Sequence, residues 1–432
     1  MSALARLGLM LARDPYEGLQ RVQSASGSIA GFGWGPVKYV LMFGPEANAF
    51  LFANSGLFTV REAFDVLVPV NGETALIASD GEAHRRRRRL VQPAFHRRRV
   101  DGYIARMAEN ADALLDTWKE GETLDVYASL RELTRRTTVE LLFGDRLAAD
   151  EELLGGELQT LLDGIDRPYS QLVALRAVPN PFWRKVLEAR ATVLERLEQE
   201  IADRRMDPAP RDDVLGLLLD SRDEDGGGLT DVELQDQAIS LMGAGYETTS
   251  AALGWAVHFM LTTEGVWERA RRELPPGPPT AETLKECAYL DHVVDETLRL
   301  FPPVVMSARK VAEDFVFEGH RVPAGAMLIY SPYVTHRMAS VWPDPDTFRP
   351  DRWDPASPGH IPATPASFLP FGGGQHRCVG SVLATTGLKV TLARLLARTE
   401  LEHTGAPVRP RSITAMRPRD GVPVVVKEVR PA

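Results

Sequence analysis

The segment Phe371-Gly372-Gly373-Gly374-Gln375-His376-Arg377-Cys378-Val379-Gly380 ends a glycine-rich loop on a single cysteine, just ahead of an apolar helical pattern. Three consecutive glycines permit positive φ and let backbone lie close to a flat ligand, where side chains would intrude. Beyond them Val379, Val382, Leu383, Leu388, Leu392, Leu395 and Leu396 recur at helical spacing. Cys378 is therefore expected at a helix N-terminus, where free N–H groups and the macrodipole favour a thiolate. The plainer alternative is a packed structural cysteine after a turn.

Only one other cysteine, Cys287, occurs in the 432 residues, and it reads as a packed thiol. This count argues against a disulfide framework and fits a reducing compartment, the cytoplasm by default. A lone thiolate also suits axial ligation of haem better than a zinc or iron–sulfur site, which gathers several ligands. With 44% hydrophobic residues the chain buries a large core, and one domain over residues 1–432 is the expectation. The apolar stretch from Ala3 to Ala12 is too short to span a bilayer and is interrupted by Arg6, so neither a signal peptide nor an anchor is expected. A net charge of −9 argues against general nucleic-acid binding.

The first clear strand signal is Tyr39 to Phe43, and helical patterns dominate from Val100 to Leu219, broken at Asn180-Pro181 and at Met206 to Asp213. Thr230 followed by Glu233 forms a capping-box pattern, and the helix it opens extends to about Thr263, on the order of 50 Å. After Pro302-Pro303 the chain turns strand-like at Phe315 to Phe317 and Ala326 to Tyr330, and Val422 to Val426 supplies a last strand, with Pro423 pointing to an edge. The fold class expected is mainly α with small segregated β-sheets.

Within the long helix lies Ala244-Gly245-Tyr246-Glu247-Thr248-Thr249. Gly243 and Gly245 each weaken a helix interior by about 1 kcal/mol relative to alanine, so something must offset them. A hydroxyl bonding back to the helix beside two glycines makes a local groove; the bland reading is a kink with a solvated glutamate. Further on, Glu296 and Arg299 share a helix face and can pair, as many surface residues do for little gain. The run from His84 through Arg85-Arg86-Arg87-Arg88-Arg89, followed by Arg97, Arg98 and Arg99, reads first as a solvated basic face or, against the overall acidity, a nucleic-acid site.

Taken together, the loop at Cys378, the Glu247-Thr248 segment, the Glu296/Arg299 pair and Pro350-Asp351-Arg352-Trp353 resemble the cytochrome P450 family from His84 onward, in family order. The resemblance implies the cytochrome P450 fold and a soluble, bacterial-type haem-thiolate monooxygenase with haem b (iron protoporphyrin IX). Cys378 would be the iron ligand, and His84, Arg88, Arg309 and His376, with Arg377, would meet the haem propionates. Phe371 and Gly372 belong to the binding loop. Thr248 and Glu247 would form the acid–alcohol pair that moves protons, and Glu296, Arg299 and Arg352 a structural triad. Trp353 replaces a phenylalanine common at its position. Electrons would come from a ferredoxin or flavodoxin with an NAD(P)H-dependent reductase, the spare arginines serving as its dock. The pocket is expected at Leu76, Ile77, Leu241, Ala244, Gly245, Val304, Val305, Met306, Ala415 and Met416, whose apolar or small side chains imply a hydrophobic substrate. The arginine and alanine content points to a high-GC bacterium and to secondary metabolites such as polyketides, with a carrier-protein-tethered chain as one form. Rival readings are an isomerase, dehydratase or peroxygenase on the same fold, or a non-catalytic haem-binding protein.

Overall fold

The structure, a computed structural model, describes residues 14–432 apart from 35–36, 168, 208 and 210. The Ala3 to Ala12 stretch lies outside the described residues. Among the described residues no helix is long and apolar enough to cross a membrane.

The helices that position the site are α1 (Pro15–Ser26), α2 (Gly81–Val91), α3 (Ile104–Leu115), α4 (Val126–Ala148), α5 (Glu151–Ile165), α6 (Tyr169–Ala177), α7 (Pro181–Met206), α8 (Asp231–Thr262), α9 (Ala288–Leu300) and α10 (Ser381–Arg398). Local sequence sets their starts. Asn180 caps α7 by accepting from Trp183 N at 2.8 Å, which is why the pattern breaks at Asn180-Pro181. Thr230 and Glu233 close a reciprocal capping box at the head of α8, as the spacing predicts. That helix crosses the molecule and packs on α4, α9 and α10.

One five-stranded sheet joins β1 (Ile29–Trp34), β2 (Val37–Met42), β3 (Phe58–Thr59), β5 (Ser307–Val311) and β8 (Met327–Tyr330) in the order β1-β2-β8-β5-β3. The hairpin of β6 (Phe315–Phe317) and β7 (His320–Val322) turns at Glu318-Gly319, both with positive φ. A third sheet holds β4 (Thr123–Asp125), β9 (Thr399–His403) and β10 (Pro423–Val429). Here the sequence expectation is corrected: β10 is the central strand, not an edge. Pro423 is tolerated because it stands at the first position of the strand, where the missing N–H interrupts little of the ladder. Strands β1 and β4 carry only a weak strand signal in the sequence. Gly31 and Gly33 dilute β1, and β4 is three residues long.

Two apolar cores flank α8. One gathers α3, α4, α8, α9 and α10; the other gathers α4, α5, α7 and the N-terminal half of α8.

Candidate active site

The loop at Cys378 is closed by its own backbone: Cys378 N donates to Phe371 O at 2.9 Å. Gly372 and Gly374 sit at φ of 65° and 64°, in the left-handed region that a side chain disfavours. A Cβ on Gly373 would fall 2.5 Å from the Phe52 ring, so this glycine lets the loop lie on Phe52. Helix α10 begins at Ser381 with Gly380 as its N-cap, which leaves Cys378 just outside the first turn rather than in it. Burial pushes the Cys378 thiol up, opposed in turn by the Gly380 N–H, Arg88 and Arg377. The cysteine is exposed by surface area yet densely enclosed by protein, which describes a thiol on the wall of a concave site.

Cations converge beside it. His84 is buried and packs against a tilted His376 ring, with ring centroids 4.1 Å apart. Burial holds both imidazoles neutral, at about 4 for His84 and about 3 for His376, with Arg88 adding to each shift and Arg309 to that of His376. His84 Nδ1 is buried without a hydrogen-bond partner. Among the described residues Arg88, Arg309 and Arg377 have no carboxylate within ion-pair reach. Arg309 Nη1 reaches only Ala308 O, at 2.7 Å, and Ser307 Oγ at 3.5 Å. Burial also holds the Arg88 guanidinium below its ordinary value. Unpaired guanidiniums and an orphaned imidazole nitrogen around a thiol form a donor set for a ligand bearing carboxylates.

The rest of the basic run is already paired within the chain, which narrows the expected dock. Arg86 pairs with Asp223 at 2.8 Å, Arg87 with Glu233 at 2.7 Å, and Arg85 and Arg89 share Glu82. Positions 84 and 88 share the inward face of α2, whereas 85 and 89 point out. Arg97, Arg98 and Arg377 remain exposed without an ion pair among the described residues.

On α8, Leu241, Gly245 and Thr248 are half-buried and Ala244 is exposed, while neighbouring Met242, Tyr246, Glu247 and Ser250 are buried. The helix runs on through Gly243 and Gly245, where an added Cβ would touch Leu162 and Thr138 at 3.4 Å. Close packing of α5 and α4 offsets the glycines' cost. Thr248 Oγ1 donates to Ala244 O at 2.7 Å, as expected.

Glu247 is not solvated. Its Oε2 accepts from Arg131 at 2.8 Å and its Oε1 from Arg417 at 2.7 Å. Arg131 also reaches Gln159, and Arg417 reaches Asp166 at 3.1 Å. These four partners escaped the sequence reading because they lie far away in the chain. The one available hint is a lone arginine between Met416 and Pro418, both of which are buried.

Glu296, Arg299 and Arg352 meet as expected, all fully buried. Glu296 takes five hydrogen bonds: two from Arg299 at 2.8 and 2.9 Å, one each from Arg352 at 2.8 Å, Arg349 N at 2.9 Å and Trp353 Nε1 at 3.0 Å. Trp353 is thus a donor, which a phenylalanine is not. His336, unnoticed in the sequence, links this cage to the cysteine loop. Its Nδ1 donates to Arg299 O at 3.1 Å and its Nε2 accepts from Leu369 N at 3.0 Å.

The pocket residues divide. Leu76 and Leu241 pack on one apolar cluster, together with Val379, just ahead of α10, and Leu383 in its first turn. Ile77 is exposed, and Val304 and Met306 are half-buried. Val305, Ala415 and Met416 are corrected: they are buried, and Val305 and Met416 pack among Tyr16, Leu19 and Tyr333, where they back a wall instead of lining it.

The donor set fits haem b on this chain's own terms: one enclosed thiol, uncompensated cations and an orphaned His84 nitrogen beside it, and nothing within 4 Å of a Cβ built on Gly380 next to the sulfur. A sequence model of the family described as "Cytochrome P450" matches residues 4–422. A protein named cytochrome P450 139 from Mycobacterium tuberculosis is 44% identical over 413 residues, covering 94% of this chain and 96% of its own. Cyclooctat-9-en-7-ol 5-monooxygenase of Streptomyces melanosporofaciens is 32% identical over 402 residues, covering 91% of this chain and 86% of its own. A solved structure described as retinoic acid bound cyanobacterial CYP120A1 superposes with a TM-score of 0.88 at 30% identity, covering 98% of this chain and 96% of that one. The chain belongs to the cytochrome P450 family and is a haem-thiolate oxygenase with haem b as its cofactor.

Proposed function

We propose that this protein, a single P450 domain working in the cytoplasm of a bacterium, inserts one atom of dioxygen into a largely hydrocarbon substrate by hydroxylation or epoxidation. Haem b supplies the oxygen activation. Cys378 ligates the iron, and Arg88, Arg309, His84 and His376, with Arg377, hold the propionates. The observation that carries the reading is the accessible Thr248 beside a buried, doubly paired Glu247 on the same helix turn. Thr248 Oγ1 already donates to Ala244 O, so its lone pairs are free to accept from a water. Glu247 exchanges protons with that water, while Arg131 and Arg417 hold it in place. An apolar strip at Leu241 and Ala244, with Leu76 and Ile77 nearby, selects an apolar skeleton. Relatives named for a cyclooctatenol and bound to retinoic acid point the same way, towards terpenoid-like or polyketide products of secondary metabolism, free or tethered to a carrier protein. Electrons arrive from an acidic ferredoxin or flavodoxin, reduced by an NAD(P)H-dependent reductase, at the exposed cations Arg97 and Arg98.

The test is oxygen and nucleotide consumption with surrogate redox partners over a panel of apolar compounds, chosen by their low-spin to high-spin shift of the haem band. Coupled, oxygen-dependent product formation is expected. Product formed without any oxygen requirement would overturn the reading.

A further inference from the structure

We propose that Gln237 and Asp236 are positioning residues that set how far the substrate pocket reaches along α8, by holding the backbone of the loop that carries Leu76 and Ile77. The inference rests on the monooxygenase reading above and goes beyond it in assigning what limits substrate length. Gln237 is fully buried and both ends of its amide are engaged: Nε2 donates to Thr74 O at 2.7 Å and Oε1 accepts from Leu76 N at 3.0 Å. Asp236 Oδ2 accepts from Thr74 N at 2.9 Å and from Thr74 Oγ1 at 2.8 Å. Arg190 of α7 ties the same assembly together, donating to Val70 O at 3.0 Å and to Asp236 at 3.3 Å.

The fit is tight on the loop side as well. Gly72 has φ of 89°, and a Cβ there would lie 1.7 Å from Asp236 Oδ1. Loop backbone and helix carboxylate can meet only because that position is glycine. No loop in this arrangement slides along α8 without leaving several buried polar groups unpaired.

Register on the helix gives the anchor its meaning. Gln237, Leu241, Ala244 and Thr248 follow one another at intervals of four, three and four, which is a single helix face. At helical rise, Leu241 stands roughly 10 Å from Thr248 and Gln237 roughly 16 Å from it. Leu76 packs on the same apolar cluster as Leu241. The loop therefore stands across the far end of the stripe, and its position is dictated by the helix that carries Thr248. A short ligand at the haem does not reach it; a long one does.

The experiment is a titration of the purified haem protein with N-alkylimidazoles, from methyl to dodecyl, read by the shift of the haem band when the imidazole nitrogen takes the iron. In the native protein affinity rises with chain length. In Gln237→Leu the methyl compound is expected to bind within about twofold of native, while the dodecyl compound loses about tenfold or more, because both buried hydrogen bonds of the amide, to Thr74 O and from Leu76 N, are lost. Thr74→Val, which removes only the hydroxyl contact to Asp236, keeps the test alive if the first variant folds poorly, and should give a smaller loss confined to the long chains. Equal weakening of every member, or an unchanged chain-length dependence in folded variants, would overturn the proposal. A native protein whose haem binds no imidazole would overturn the monooxygenase site itself, and this inference with it.

Discussion

Glu296 and Glu247 are both buried on helices, and each is held by two arginines, yet their surroundings differ in one respect. Glu296 on α9 is fully enclosed, with five donors filling both its oxygens. Glu247 on α8 is held by Arg131 and Arg417, and its chain neighbour Thr248 is half-buried on the accessible stripe. A carboxylate whose lone pairs are all filled by fixed donors has no proton acceptor or donor to trade with, so Glu296 is a fastener. Glu247 has one arginine per oxygen, and those arginines are also held by Gln159 and Asp166, so a change at the carboxylate does not leave them unpartnered. On the reading proposed above, the same chemistry gives structure in one place and proton handling in the other, and the half-buried Thr248 beside Glu247 separates them.

The comparison breaks most sharply at the cage. Glu296→Ala strands two fully buried guanidiniums and should cost about 3–5 kcal/mol, seen as a large fall in the unfolding midpoint together with poor haem retention. Next comes the open site. Thr248→Ala should lower coupled product formation about a hundredfold while oxygen is still consumed, the missing oxygen appearing as hydrogen peroxide, with the unfolding midpoint little changed. Smaller again, Trp353→Phe removes one of the five donors to Glu296 and should cost about 1.5 kcal/mol without altering the peroxide fraction.

A pH dependence of comparable size completes the series. Burial holds His336 at about 3, far below its unfolded value, so the folded state keeps it neutral where the unfolded state is protonated. Its contribution is intact above pH about 6.5 and is lost as pH falls from there towards 3, by up to about 1.4 kcal/mol per pH unit. His336→Asn, measured by denaturant unfolding at pH 7.5 and at pH 5, should flatten that slope relative to the native protein.

What the sequence made legible follows from how local each constraint is. The cysteine loop, the Thr230/Glu233 capping box and the Glu296/Arg299 pair are written within a few residues of one another, and each residue type is chemically demanded. Arg131 and Arg417 reach Glu247 across 116 and 170 positions, and no local pattern marks them. The arginine run misled for the opposite reason: its charge is obvious, but which members turn inward depends on Asp223 and Glu233 waiting across the fold. The proline of β10 points to an edge, whereas the strand is flanked by β9, shortly before it in the chain, and by β4, far from it in sequence and invisible to any local pattern.

The most direct measurement pairs Glu247→Gln with Glu296→Gln, recording for each the denaturant midpoint and the fraction of consumed oxygen released as peroxide. The account predicts that Glu247→Gln, with Arg131 and Arg417 still bound to Gln159 and Asp166, unfolds near the native midpoint with strongly altered oxygen use. Glu296→Gln should lose stability, and whatever protein stays folded should partition oxygen as the native enzyme does. Equal destabilisation by the two changes, or unaltered oxygen use in folded Glu247→Gln, would contradict it.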